Sequence, residues 1–267
     1  MKTKKKSSKS LSTDWEARWK KYWQHPGQTT YELPAGDDEK FFMERDFLQN
    51  ARTPAKEMER LGRITKEFEN GFRKLYRLGP AVTVFGSARF KEGHPYYELT
   101  REVGKHLAKA GFAVLTGGGP GLMEAANRGA FEAGGKSYGL NIILPHEQSA
   151  NPYVNDSIEF NYFFARKMML VKYSCAFIIM PGGLGTLDEM YEAATLIQCK
   201  KIGPFPIILM DKKFWKGVAN ITRFQVEKGA VGEDEIGFAA RLNDPQKAVD
   251  LIVKSVPLSV QKALKKA

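Results

Sequence analysis

Two strings of small residues carry the first chemical signal in this chain. Thr116-Gly117-Gly118-Gly119-Pro120-Gly121 precedes a helical stretch whose small apolar face is Leu122, Ala125, Ala126, Gly129 and Ala130. Pro181-Gly182-Gly183-Leu184-Gly185-Thr186 precedes another, with Leu187, Met190 and Ala194 on its inner face. Glycine lets a backbone turn tightly and approach a ligand without a Cβ in the way. The free N–H groups of the helix that follows favour an anion, and a phosphate is the natural guest. Gly86-Ser87 makes a third such turn, so three loops point to phosphate where one alone would read equally well as a plain strand-to-helix turn or a phosphate site.

Charged residues near these loops come next. Arg166-Lys167 opens a helical stretch, a place where cations oppose the helix dipole unless an anion is bound nearby. Glu189 follows Thr186 by three residues and has two readings, a capping-box glutamate or a functional carboxylate. Glu124 and Arg128 stand at i,i+4 spacing, which reads as a surface bridge. Neither glycine loop matches G-x-x-x-x-G-K-[ST], and the first strand is not followed by G-x-G-x-x-G, which disfavours an ATPase loop and a standard NAD site. His25, His94, His106 and His146 have no metal-ligand spacing, and no G-x-S-x-G elbow is present. The expectation is an active chain with no metal and no cofactor.

The elements that must position these residues alternate in type. Short β-branched or apolar runs occur at 81–85, 112–116, 138–144, 176–180 and 206–210. Helical patterns lie at about 96–110, 121–134, 163–174, 185–198, 213–228 and 245–255. Strands alternating with helices predict βα units around a parallel sheet, and nearly unbroken apolar strands predict burial on both faces. The fold class is α/β, a doubly wound, Rossmann-like parallel sheet over residues 80–256. In such a sheet ligands sit beyond the carboxyl ends of the strands, where all three loops fall.

Residues 41–79 form an N-terminal helical extension. In it Met58, Leu61, Ile64, Phe68, Phe72 and Leu75 recur at spacings of three or four, until Gly79-Pro80 ends the pattern. Residues 1–40 read as a basic, flexible tail and arm, with Trp15, Trp19 and Trp23 spaced to share one side of a short helix and dock on the body or a neighbouring subunit. Residues 257–267 read as a basic C-terminal tail, solvated and without structure.

The 267 residues carry 41 Lys+Arg against 30 Asp+Glu, a net charge of +11. Five lysines in residues 1–10 and three in 257–267 account for most of that surplus, so basicity belongs to the ends and nucleic acid is not the expected partner. The apolar fraction of 43% is too high for a disordered chain. Cys175 and Cys199 alone cannot build a disulfide framework, which predicts a reducing, cytoplasmic setting. No run is long enough for a membrane span, and the basic N-terminus has no apolar core for a secretory signal.

The strings P-G-G-L-G-T-L-D-E (181–189), A-R-K (165–167) and T-G-G-G-P-G-L-M-E-A-A-N (116–127) resemble the LONELY GUY (LOG) family, cytokinin riboside 5′-monophosphate phosphoribohydrolases long labelled lysine decarboxylase-like. The resemblance spans about 80–256 and is closest to the longer bacterial-type subgroup. It implies hydrolysis of the N-glycosidic bond of a nucleoside 5′-monophosphate to free base and ribose 5-phosphate, with a homo-oligomeric assembly. It implies Arg166 and Glu189 as the catalytic pair, with Gly182, Gly183, Gly185 and Thr186 on the 5′-phosphate and Gly118 and Gly119 close to the ligand. Ser87, Glu124 and Lys167 complete the candidate substrate contacts. Plant-type members read M-H-x-R-K at the arginine, where this chain has Phe163-Phe164-Ala165-Arg166-Lys167. Their glycine loop is also longer than the one here. An AMP-like purine nucleotide is therefore as good a substrate expectation as a cytokinin nucleotide. The rival readings are a non-enzymatic nucleotide sensor or carrier on the same fold and, less favoured, a pyridoxal phosphate decarboxylase with Lys167 as its only motif lysine.

Overall fold

The computed structural model describes residues 53–144, 150–203, 205–233 and 237–265. The basic arm, its three tryptophans, and His25 and His146 lie outside them. In chain order the elements are α1 (Pro54–Leu75), β1 (Ala81–Phe85), α2 (Pro95–Lys109), β2 (Ala113–Thr116), α3 (Leu122–Glu132), β3 (Ser137–Ile142) and β4 (Asp156–Phe160). They continue with α4 (Phe163–Lys172), β5 (Ala176–Ile179), α5 (Leu184–Gln198), β6 (Ile207–Met210), α6 (Lys216–Glu227), β7 (Ala239–Leu242), α7 (Pro245–Ser255) and α8 (Leu258–Leu264).

The strands form one sheet in the order β4-β3-β2-β1-β5-β6-β7, and every neighbouring pair is parallel. Side chains alternate between faces along a strand. Accordingly Ala81 and Phe85 join a core with Leu75 of α1, Met169 and Leu170 of α4, and Met190 and Ala193 of α5. Val82 and Val84 join a second core with Val103 and Leu107 of α2, Ala125 and Ala126 of α3, and Val249 and Ile252 of α7. β1 is buried at all five positions, as a central strand covered on both sides requires. The fold is the expected doubly wound α/β sheet with an N-terminal helix.

The sequence reading missed two strands, β4 and β7. Both are edge strands with partly exposed patterns, so neither makes an apolar run. Residues 257–267 also need correcting. Leu258–Leu264 is helical, and Val260 and Leu264 pack against the second core, so this segment is not the solvated end that its lysines suggested. Two apolar side chains one helical turn apart outweigh the charge around them. Among the described residues no helix is long and apolar enough to cross a membrane.

The winding reverses between β1 and β5. The chain moves outward from β1 through β4, returns to lay β5 against the other side of β1, and then continues to β7. Loops leaving β1 and β5 therefore diverge to opposite faces and leave a crevice at their carboxyl ends, the position at which such sheets bind ligands.

Candidate active site

The crevice is closed at its base by backbone pairing that continues past the strands. Met180 N–H donates to Phe85 O at 2.8 Å and Ser87 N–H to Pro181 O at 3.1 Å. Above them lies a cavity of about 630 Å³ lined by all of Gly182, Gly183, Leu184, Gly185 and Thr186, by Ser87, and by both Arg166 and Glu189. Three sequence strings separated by long stretches of chain thus meet in one hollow.

α5 begins at Leu184 with Gly183 as its cap residue, no side-chain cap and no acidic residue in its first turn. The first N–H groups of a helix have no intrahelical partner, so those of residues 184–186 are available to an anion at the dipole's positive end. A Cβ built on Gly183 or Gly185 would meet nothing within 4 Å, so the loop borders open space rather than packed atoms.

Glu189 stands beyond that first turn, and the capping-box reading fails for this reason: the helix starts ahead of Thr186, not after it. Instead the Glu189 carboxylate faces α4, where Arg166 Nη2 donates to Oε1 at 3.2 Å. Their side chains are only 13% and 6% exposed. The guanidinium is held from other sides by the Phe163 ring, 5.2 Å from its carbon, and by the bare backbone of Gly117. Arg166 Nε is buried with no hydrogen-bond partner, which leaves a donor for a ligand. Burial is the largest influence on Glu189 and lifts its carboxyl to about 7; Arg166 and Lys167 oppose the rise, while Glu192 and Asp188 add to it. Burial also lowers the Arg166 pKa, against the attraction of Glu189. A carboxylate poised near neutrality beside a guanidinium suits acid–base or charge-stabilising work.

The other expected contacts lie elsewhere. Lys167, one helical step from Arg166, turns outward and bridges Asp188 at 2.7 Å and Glu192 at 2.9 Å. It borders a separate groove of about 880 Å³ shared with Phe164 and Tyr191. Glu124 accepts the Tyr97 hydroxyl at 2.7 Å and does not line the cavity. Its expected partner Arg128 pairs with Glu92 and Glu132. Gly118 and Gly119 are also absent from the lining; of that loop only Gly117 reaches it. Sequence reasoning missed Arg89, Phe90, Met123 and Phe214, which do line the cavity. Arg89 and Phe90 follow β1 and Phe214 follows β6, so reading every loop after a central strand would have flagged them. Among the described residues no group of three or more His, Cys, Asp or Glu is placed to hold a metal ion.

Comparison with known proteins bears on this geometry. A family model described as possible lysine decarboxylase matches residues 123–252, which include α4, α5 and the whole Pro181–Glu189 string. The cytokinin riboside 5′-monophosphate phosphoribohydrolase LOG of Oryza sativa subsp. japonica is 29% identical over 153 residues, 56% of this chain and 62% of its own. The cytokinin riboside 5′-monophosphate phosphoribohydrolase of Mycobacterium tuberculosis is 35% identical over 100 residues, 37% of this chain and 54% of its own. Over these stretches the chain is similar to the LOG family. The chain spans somewhat over half the length of these two LOG relatives. The X-ray structure of TM1055 superposes with a TM-score of 0.52 at 27% identity, covering 66% of this chain and 99% of that one. The part of the chain that precedes Met123, including α1 and β1, lies outside the family match.

Proposed function

We propose that this chain hydrolyses the N-glycosidic bond of a nucleoside 5′-monophosphate, a cytokinin riboside monophosphate or an AMP-like nucleotide, to the free base and ribose 5-phosphate. The observation that carries the reading is the buried Arg166–Glu189 pair, which opens on the same cavity as the uncapped start of α5. The names of the rice and mycobacterial relatives support the same reaction.

In this reading the 5′-phosphate sits on the amides of residues 184–186, beside Gly182, Gly183 and the Thr186 hydroxyl. Fixing the phosphate places the anomeric carbon near Glu189, so binding remote from the reacting bond helps the chemical step. As the C1′–N bond breaks, its electron pair leaves with the base and the ribose gains oxocarbenium character. The ionised Glu189 carboxylate stabilises that charge and orients a water. The water oxygen bonds to C1′, and its proton balances the departing base. Arg166, with its unpaired Nε donor, favours the ionised form of Glu189 against the effect of burial and reaches sugar hydroxyls or phosphate through its planar fork. Gly118, Gly119, Glu124 and Lys167 do not line the cavity, and in this reading they act through the loop and helices they brace.

A second copy of the chain, seated over the exposed Phe163, Phe164 and Leu184, would complete the assembly that the family resemblance implies. Light scattering on the purified chain reads that directly.

The test of the reaction is incubation with AMP, GMP, CMP and isopentenyladenosine monophosphate, with free base assayed by chromatography. Release of base from at least one of them, lost in Glu189→Gln and Arg166→Ala, is the expected result. Thermal stabilisation by a nucleotide with no base released over long incubation would instead establish the sensor or carrier.

A further inference from the structure

The N-terminal helix α1 does more than cover apolar surface. It lies outside the family match, yet it touches the entry to the helix that carries Arg166. Glu67 Oε1 accepts Asn161 N–H at 2.7 Å and the Asn161 side-chain amide at 2.8 Å, and Oε2 accepts Tyr162 N–H at 3.3 Å. Tyr162 is the cap residue of α4 and supplies no side-chain cap; no acidic residue lies in that helix's first turn. Arg166 and Lys167 meanwhile bring two positive charges to the positive end of the α4 dipole, the unfavourable placement already evident in the sequence. The Glu67 carboxylate, delivered from another element, is the negative group that this helix start lacks.

The contacts form a continuous relay. Glu67 holds the Tyr162 N–H; the Tyr162 carbonyl accepts the Arg166 N–H at 3.1 Å; the Arg166 guanidinium meets Glu189 at 3.2 Å. The register of α4 against α1 is further fixed where Met169 packs on Gly71, whose missing Cβ leaves it room. We propose that Glu67 is a positioning residue for the reaction, setting the start of α4 so that the Arg166 guanidinium meets Glu189 in the cavity. This rests on the reading of Arg166 and Glu189 as the catalytic pair.

α1 provides its own control. Near its end Lys74 Nζ donates to Asp156 Oδ1 at 3.0 Å and to Ser157 O at 2.9 Å, a tether to β4 that does not involve α4. In the full chain, Glu67→Ala and Lys74→Ala should each lower the melting temperature modestly. Only Glu67→Ala should also lower kcat for nucleotide hydrolysis, by about 10- to 100-fold, because a shift of about 1 Å in a catalytic group has effects of that size. KM should change less than kcat, because the phosphate rests mainly on the α5 amides, and Glu67→Gln, which keeps an acceptor oxygen, should recover part of the loss.

The pH profile adds a readout that helix stability alone would not move. Glu189 faces Arg166 and Lys167 on α4, with Asp188 and Glu192 beside it on α5. A displaced Arg166 attracts the carboxylate less, so the acid limb of kcat should move to higher pH in Glu67→Ala and stay in place in Lys74→Ala. Equal losses of kcat in the two variants, or an unchanged acid limb in Glu67→Ala, would overturn the proposal. Amide hydrogen exchange separates this failure from failure of the hydrolase reading. Even if no nucleotide releases base, Glu67→Ala must speed exchange of the Arg166 amide while sparing β4, and unchanged protection at Arg166 rejects the relay.

Discussion

The two glycine loops look alike in sequence and are built for different purposes. After β2, Gly118 and Gly121 have φ of +71° and +70°, and neither has space for a side chain. A Cβ on Gly121 would lie 2.6 Å from the Ser87 carbonyl oxygen, and one on Gly118 would run into the Asn141 side chain. This loop is then tied down by side chains. Asn151 Nδ2 donates to the carbonyls of Gly118 and Gly119, both at 3.1 Å, and to Asn127 Oδ1 at 3.0 Å. After β5, by contrast, Gly183 and Gly185 have ordinary φ and nothing around them. Glycine in the first loop lets neighbouring backbone and side chains press close on it. In the second, Gly182 makes room for Thr186, while Gly183 and Gly185 keep a surface bare, which is what a ligand needs.

Substitutions can break that contrast at either end. The largest effect is expected from the acid that the second loop leads to. Glu189→Gln should reduce base release by about 10²- to 10⁴-fold, the range for a lost acid–base group, while circular dichroism stays native. Gly121→Ala should come next, as a loss of stability of roughly 2–4 kcal/mol in urea unfolding, since positive φ and backbone overlap act together. Gly183→Ala should change stability by no more than about 0.5 kcal/mol, as for a surface site, and raise KM instead. Similar destabilisation by Gly121→Ala and Gly183→Ala would erase the distinction between the loops.

A separate test of the second loop's acid is the pH dependence of stability. Glu189 sits at about 7 in the folded chain against an ordinary 4.5, so the folded state takes up its proton more readily. Its contribution to stability is complete below 4.5 and is lost as pH rises through 7. The melting temperature of Glu189→Gln relative to wild type should therefore be more favourable at pH 8 than at pH 5. A difference independent of pH would show that the carboxyl is not held in that raised state.

What could be read from the chain follows from how each feature is encoded. β1, β2, β5 and β6 are central, buried on both faces, and therefore written as apolar runs. β4 reads Asp156-Ser-Ile-Glu-Phe160 and has only two buried side chains, so its short alternation was lost among loop residues. Arg166 and Glu189 were found because the strings around them resemble a family, while their spacing alone left Glu189 open to a capping role. That role depended on where α5 begins, and a helix start is among the least local of signals when glycines surround it. Lys167 was drawn in by its neighbour. Adjacent helical residues point about 100° apart, and only the packing of α4 on α5 decides which one faces the cavity. Glu67 carries no motif at all, since its role exists only once α1 lies against α4.

The crevice between β1 and β5 also has a consequence for biosynthesis. Val82 pairs with Ala176, so the two walls come from segments separated by three complete strand–helix units. Joining them is a long-range event, which topology makes slow relative to local contacts. As the ribosome extrudes the polypeptide, β1 must wait with one flank uncovered until β5 emerges. Over that interval its apolar edge is the natural target for chaperones or for mispairing, and the crevice is complete only after the α5 turn has left the exit tunnel.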